Sequence, residues 1–101
     1  MEKNYRLRWT KAAFKEFELL NGDKLKDKAI EILNILEDNP FQNPPPYEKL
    51  RGELDGLYSR RLNVRHRIVY EVVQSDDPGY KGIVVIVRMR SHYRGMMSLM
   101  F

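Results

Sequence analysis

The architecture turns on residues 57–74, LYSRRLNVRHRIVYEVVQ. Leu57–Asn63 and Arg67–Gln74 each read as a β-strand, and the short link between them leaves room only for a turn. The two strands therefore pair antiparallel. Ser75–Lys81, SDDPGYK, carries the turn signal Asp-Asp-Pro-Gly, and the apolar run Gly82–Met89 supplies a third strand. The hairpin is unusual in its charge. Between Tyr58 and Tyr70 it holds Arg60, Arg61, Arg65, Arg67 and His66 and no acidic residue, whereas strand pairs usually balance opposite charges.

Upstream of the meander the pattern changes. Tyr5-Arg6-Leu7-Arg8-Trp9 alternates apolar with basic, as a strand with one buried face does. Thr10 can cap a helix whose buried stripe is Ala13, Phe14, Phe17 and Leu20. Asn21-Gly22 ends it. A longer helix starts near Asp23 with Leu25, Ala29, Ile32, Leu33 and Leu36 on its apolar face, and Asn39-Pro40 stops it. Phe41–Tyr47, FQNPPPY, reads as a rigid connector on an extended polyproline II path. The expected fold is α+β: an N-terminal strand, a helical hairpin, then an antiparallel β-meander forming a curved sheet with the helices on one face.

With 101 residues the chain has room for a single core. Residues 1–93 are expected to form one domain, followed by a short tail, 94–101. Cysteine is absent, which rules out a disulfide framework or a thiol nucleophile and fits a reducing compartment. No apolar stretch is long enough to span a membrane and no signal peptide is evident, so a cytoplasmic protein without membrane association is expected. The net charge is +4, compatible with a polyanionic partner. Acids and lysines mix in residues 10–40, whereas arginine dominates from Leu57 onward. Arginine favours planar, bidentate contact with phosphate or carboxylate.

Parity assigns faces. Ile68, Tyr70 and Val72 share one row, and Arg67, Val69, Glu71 and Val73 share the other. In the third strand, Ile83, Val85, Val87 and Met89 are assigned to the helix side, and Val84, Ile86, Arg88, Arg90 and His92 to the opposite side. Arg67, Arg90 and His92 then share the helix-free face. Arg61 and Asn63 join them if Tyr58 and Leu62 point inward. Arg60 would then also point inward, which calls for a bulge or a strand end. His66 is expected to serve the turn. A cationic sheet face suits single-stranded nucleic acid, with Tyr58 or Tyr93 stacking on bases. RNA cleavage needs a base, fixed cations and an acid. Glu48, Arg61 with Arg67, and His92 are the residues available for those jobs. No carboxylate cluster has metal-binding spacing, so neither a metal nor another cofactor is expected.

NPFQNPPPYEKLRGELDGLYSRRLNVRHRIVYEV, Asn39–Val72, followed by VRMRSHY, Val87–Tyr93, resembles the YoeB/Txe family of bacterial type II toxins in the RelE superfamily. The shared markers are a Pro-rich connector leading to Glu, a Gly-aromatic-Ser-Arg-Arg strand of which Gly-Leu-Tyr-Ser-Arg-Arg is this chain's form, a His-Arg-hydrophobic-Val-Tyr strand and a terminal His-Tyr pair. The resemblance implies a ribosome-dependent endoribonuclease that cuts mRNA in the A site. By motif, Glu48 matches the general base, Arg67 the arginine that stabilises the transition state, His92 the general acid and Tyr93 the tyrosine beside it. Arg61 matches a phosphate ligand. Lys49 and Arg51 fall where the family has a basic residue after the Glu, with Arg51 the better match. The implied partners are the 70S ribosome with its mRNA and a YefM/Axe-like antitoxin with an acidic C-terminal segment. Operator DNA is contacted only through the antitoxin complex, and a homodimer stays open. The chain departs from the family by continuing past His-Tyr with RGMMSLMF, Arg94–Phe101, an apolar tail. Two other readings stay open on residues alone: a non-catalytic RNA- or ribosome-binding domain, and a module whose basic face meets an acidic protein.

Overall fold

The computed structural model describes residues 4–20 and 23–89. The expected meander forms from β3 (Leu57–Arg61), β4 (Arg67–Val73) and β5 (Gly82–Arg88), paired antiparallel in sequence. It is preceded by β1 (Tyr5–Trp9), α1 (Lys11–Glu18), α2 (Asp23–Asp38) and a short β2 (Glu48–Lys49). The sheet order is β1-β5-β4-β3-β2. Two pairings go beyond the sequence reading. β1 joins the sheet parallel to β5, and β2 adds an edge antiparallel to β3.

Thr10 caps α1 as expected. Its hydroxyl accepts from the Ala13 amide at 3.0 Å and donates to the Val87 carbonyl at 2.9 Å, tying the helix start to β5. Ala13 and Phe17, one turn apart, carry the buried stripe. Phe14 was expected there too but is 48% exposed and meets Trp9 edge-on at 5.6 Å. It sits at the flank of a stripe that Ala13 and Phe17 centre. In α2, Ala29, Ile32, Leu33 and Leu36 are buried and Leu25 is partly so, which is the expected face. The Asn21-Gly22 link lies outside the described residues.

The helices bury one sheet face. Leu62, Ile68, Tyr70, Val84, Ile86 and Met89 face them, with Tyr5, Leu7 and Trp9 of β1 packed alongside. Gly82 sits opposite Tyr5 in the β1–β5 register; a Cβ there would lie 2.9 Å from the Val73 carbonyl and 3.1 Å from the Tyr5 ring. Only glycine allows the strands and ring to close at this point. The β4 rows follow the expected parity. Within Gly82–Arg88 the β5 rows are reversed: Val84 and Ile86 pair with Val72 and Tyr70 and face the helices, while Met89, just past the strand, is buried on the helix side as expected. Both rows of β5 are apolar, so alternation alone cannot rank them, and cross-strand register decides. Arg88 therefore also turns to the helix side. It holds Glu16 of α1 through bonds of 3.0 and 2.6 Å, and Glu16 accepts a further bond from the Met89 amide. This contact pushes the Arg88 pKa up, chiefly through hydrogen bonding to Glu16. The basis for placing Arg90 and His92 on the opposite face is thereby removed, and both lie outside the described residues.

The opposite face is partly covered. A 3₁₀ turn, Gly52–Leu54, folds over it, and Leu50, Leu54, Leu57 and Val69 make a second small core with Val87. Gly56, at φ 95°, reverses the chain into β3.

Candidate functional site

The hairpin's arginines do different jobs because alternation sends them to different faces. Arg60 points inward without a bulge and is 1% exposed. The irregularity expected near it lies instead in the β4–β5 pairing, between Val69 and Tyr70. Four hydrogen bonds satisfy the Arg60 guanidinium. It donates to the Pro40 carbonyl at 3.0 Å, Gln42 at 2.7 Å, Pro45 at 2.7 Å and the Tyr70 hydroxyl at 3.2 Å. Its Cζ lies 5.1 Å from the Tyr47 ring centre.

This cage explains the proline segment. Prolines remove backbone donors but leave carbonyls, and the carbonyls of Pro40, just before the connector, and of Gln42 and Pro45 within it converge on one fork-shaped cation. The connector is therefore folded around Arg60 instead of running as polyproline II; its Asn43–Pro44 and Pro44–Pro45 peptides are cis. Phe41, Tyr47, Tyr58 and Tyr70 form a ring ladder beneath it, with centroids 5.3–6.1 Å apart. The Tyr70 hydroxyl donates to the Pro40 carbonyl at 2.7 Å. Burial raises the Tyr70 pKa, with the Arg60 charge and hydrogen bond opposing it.

The connector so held delivers Glu48 into β2, directly opposite Ser59 of β3. Arg61, two residues on from Ser59, faces the same side and lies opposite Arg67 of β4. An open cleft of about 420 Å³ results, lined by Pro46, Tyr47, Glu48, Ser59, Arg61 and Arg67. One carboxylate and two guanidiniums thus converge from three strands. Two guanidiniums directly opposite on paired strands make this part of the cleft strongly cationic. The arrangement can bind a phosphate or carboxylate and place a carboxylate base near it.

Two of the other expected site residues, Lys49 and Arg51, fall outside this cleft. Lys49, beside Glu48, is opposite Tyr58 and exposed, and Arg51 is exposed just before the 3₁₀ turn. Neither lines the cleft. Arg90, His92 and Tyr93, with the tail 94–101, lie outside the described residues. His66 serves the turn: Asn63 Oδ1 accepts from the Arg65 and His66 amides and sits 3.1 Å from His66 Nδ1. Ser59 and Arg60 are what the sequence reading missed or left undecided. The Tyr-Ser-Arg-Arg run held the signal, since alternation across it necessarily puts Ser59 with Arg61 and turns Arg60 the other way.

Comparison with known proteins follows the same lines. The family described as "YoeB-like toxin of bacterial type II toxin-antitoxin system" matches residues 9–93. Toxin YoeB of Synechocystis sp. is 30% identical over 73% of this chain and 78% of its own. A YoeB/ParE toxin from Agrobacterium tumefaciens superposes with a TM-score of 0.76 at 26% identity, covering 87% of this chain and 99% of that one. YoeB of Staphylococcus aureus, at 29% identity, is solved in a YoeB-YefM complex (TM-score 0.68, 88% and 98% covered) and as a dimer (0.71, 89% and 99%).

Proposed function

The chain belongs to the YoeB-like toxins of bacterial type II toxin-antitoxin systems, and from that premise we propose that it is a ribosome-dependent, metal-independent endoribonuclease cutting mRNA in the A site. The observation that carries this reading is the convergence of Glu48, Arg61 and Arg67 on one cleft. Glu48 takes the proton from the ribose 2′-hydroxyl, whose oxygen attacks phosphorus. Arg67 stabilises the charge that grows on the phosphoryl oxygens, and Arg61 holds the phosphate, in the place a metal ion would otherwise fill. The 5′-oxygen leaves with a proton from His92, beside Tyr93. A cyclic 2′,3′-phosphate and a 5′-hydroxyl are the products. Lys49 and Arg51 act farther out, on flanking phosphates or ribosomal RNA, through charge alone, and Arg90 adds a further phosphate contact.

The partners follow from the family. The Staphylococcus aureus relative is solved with YefM. By similarity this chain pairs with a cognate antitoxin whose acidic C-terminal segment covers the cationic cleft, and operator DNA is bound through that antitoxin. A homodimer is the matching free state, as in the dimer structure of that relative. Among the described residues no helix is long and apolar enough to cross a membrane.

Purified chain added to translating ribosomes tests the proposal. Wild type should leave cut mRNA with cyclic phosphate ends, and Glu48→Ala should lose about 10²–10³ in rate. Ribosome binding with intact mRNA at every concentration selects the non-catalytic binding domain instead. Copurification with an acidic protein, and no cutting after it is stripped away, selects the protein-interaction module.

A further inference from the structure

Ser59 is a polar side chain in an apolar place. It is 1% exposed, and its Oγ has no hydrogen-bond partner among the described residues. Its neighbours on that side of the sheet include buried Leu57 and Val69. A buried hydroxyl left without a partner costs stability, and native proteins seldom tolerate one. An alanine would occupy the same space without that cost. Yet Ser59 lines the cleft, opposite Glu48 and two positions from Arg61. The carboxylate of Glu48 repels an anion from one side, while Arg61 and Arg67 attract it from the other. The Ser59 hydroxyl is a neutral group on the sheet floor that can donate to an anion and also swing to suit its position.

We propose that the Ser59 hydroxyl is a ligand of the anion the cleft binds, donating a hydrogen bond to a phosphoryl oxygen held by Arg61 and Arg67. The inference rests on reading the cleft as a phosphodiester site. It assigns Ser59 a role that the free protein meets at a loss and the bound protein recovers. Stability and binding should therefore move in opposite directions when the hydroxyl is removed, which a residue of merely structural value would not do.

The experiment compares wild type, Ser59→Ala and Ser59→Thr as intact chains. Thermal unfolding without ligand is read first, then a titration with inorganic phosphate followed by amide chemical shifts, then single-turnover cutting on ribosomes programmed with mRNA. Ser59→Ala should unfold at the same temperature as wild type or higher. It should bind phosphate about tenfold more weakly and cut about tenfold to a hundredfold more slowly, as befits one lost hydrogen bond to a charged group. Ser59→Thr keeps the hydroxyl and should recover phosphate binding. Equal phosphate affinity in wild type and Ser59→Ala overturns the proposal, as does a lower unfolding temperature in Ser59→Ala with binding unchanged. The absence of any phosphate-dependent shift at Ser59 in wild type overturns it too. Intact mRNA with wild type, by contrast, refutes the ribonuclease reading, while the phosphate titration still decides the role of Ser59.

Discussion

Arg60 and Arg61 are adjacent and chemically identical, yet they belong to different parts of the molecule. Arg60 lies on the helix side of β3, almost wholly buried, and is satisfied by three backbone carbonyls and a tyrosine hydroxyl. Arg61 lies on the other side, exposed, in a cleft with Glu48 and Arg67. A buried cation persists only when its donors are used, so Arg60 organises the chain around itself. Arg61 keeps its guanidinium at the solvent-exposed cleft. The difference teaches that strand parity sorts one residue type into scaffold and site. It also shows that the two are linked, because the connector caged by Arg60 is the segment that delivers Glu48.

The comparison breaks most visibly at Arg60. Arg60→Met should destabilise the domain by about 3–5 kcal/mol, since several buried carbonyls and Tyr70 lose their donor together; chemical denaturation reads this directly. Activity should fall with it, because Glu48 loses its support. If Arg60→Met unfolds like wild type, the cage is incidental. Arg67→Ala should do the reverse, losing about 10²–10³ in cutting rate, or roughly 3–4 kcal/mol of barrier. Its stability should change by much less than that of Arg60→Met, read by the same chemical denaturation.

A third arginine sharpens the contrast. Arg88 is paired with Glu16, both side chains being 14% exposed, so Glu16→Ala removes a two-pronged, charge-assisted contact from a largely buried cation and should cost about 2–3 kcal/mol. Tyr70→Phe should cost about 1 kcal/mol by removing a hydroxyl that bridges Arg60 and Pro40. Tyr70 also carries a pH signature. Its pKa is raised in the folded state, so its contribution is intact below the ordinary tyrosine value of about 10 and is lost as pH rises through the higher folded value. Tyr70→Phe should therefore flatten the alkaline limb of the stability curve. Arg65→Ala, at the exposed turn, should change stability by less than about 0.5 kcal/mol and leave cutting unaltered; a large effect there would mean the turn does more than connect strands.

Much of this was legible in the chain. Thr10 as a cap, the α2 stripe, the three meander strands and the Arg61–Arg67 face all follow from short-range rules of spacing and parity. Glu48 was identified by motif, and its position beside Ser59 required β2 to form, a two-residue strand with no periodicity to read. Phe14 and the β5 rows were misassigned for a common reason. Where several apolar residues compete for one buried face, pattern does not rank them.

Sequence by itself determined the residue types, the order of elements and which arginines alternate. Tertiary structure decided which side of β5 meets the helices, because cross-strand register with β4 breaks a tie between two apolar rows. It also decided what the prolines are for. A proline-rich segment poor in amide donors is only a stiff connector until a buried guanidinium, distant in sequence and close in space, gives its carbonyls a partner.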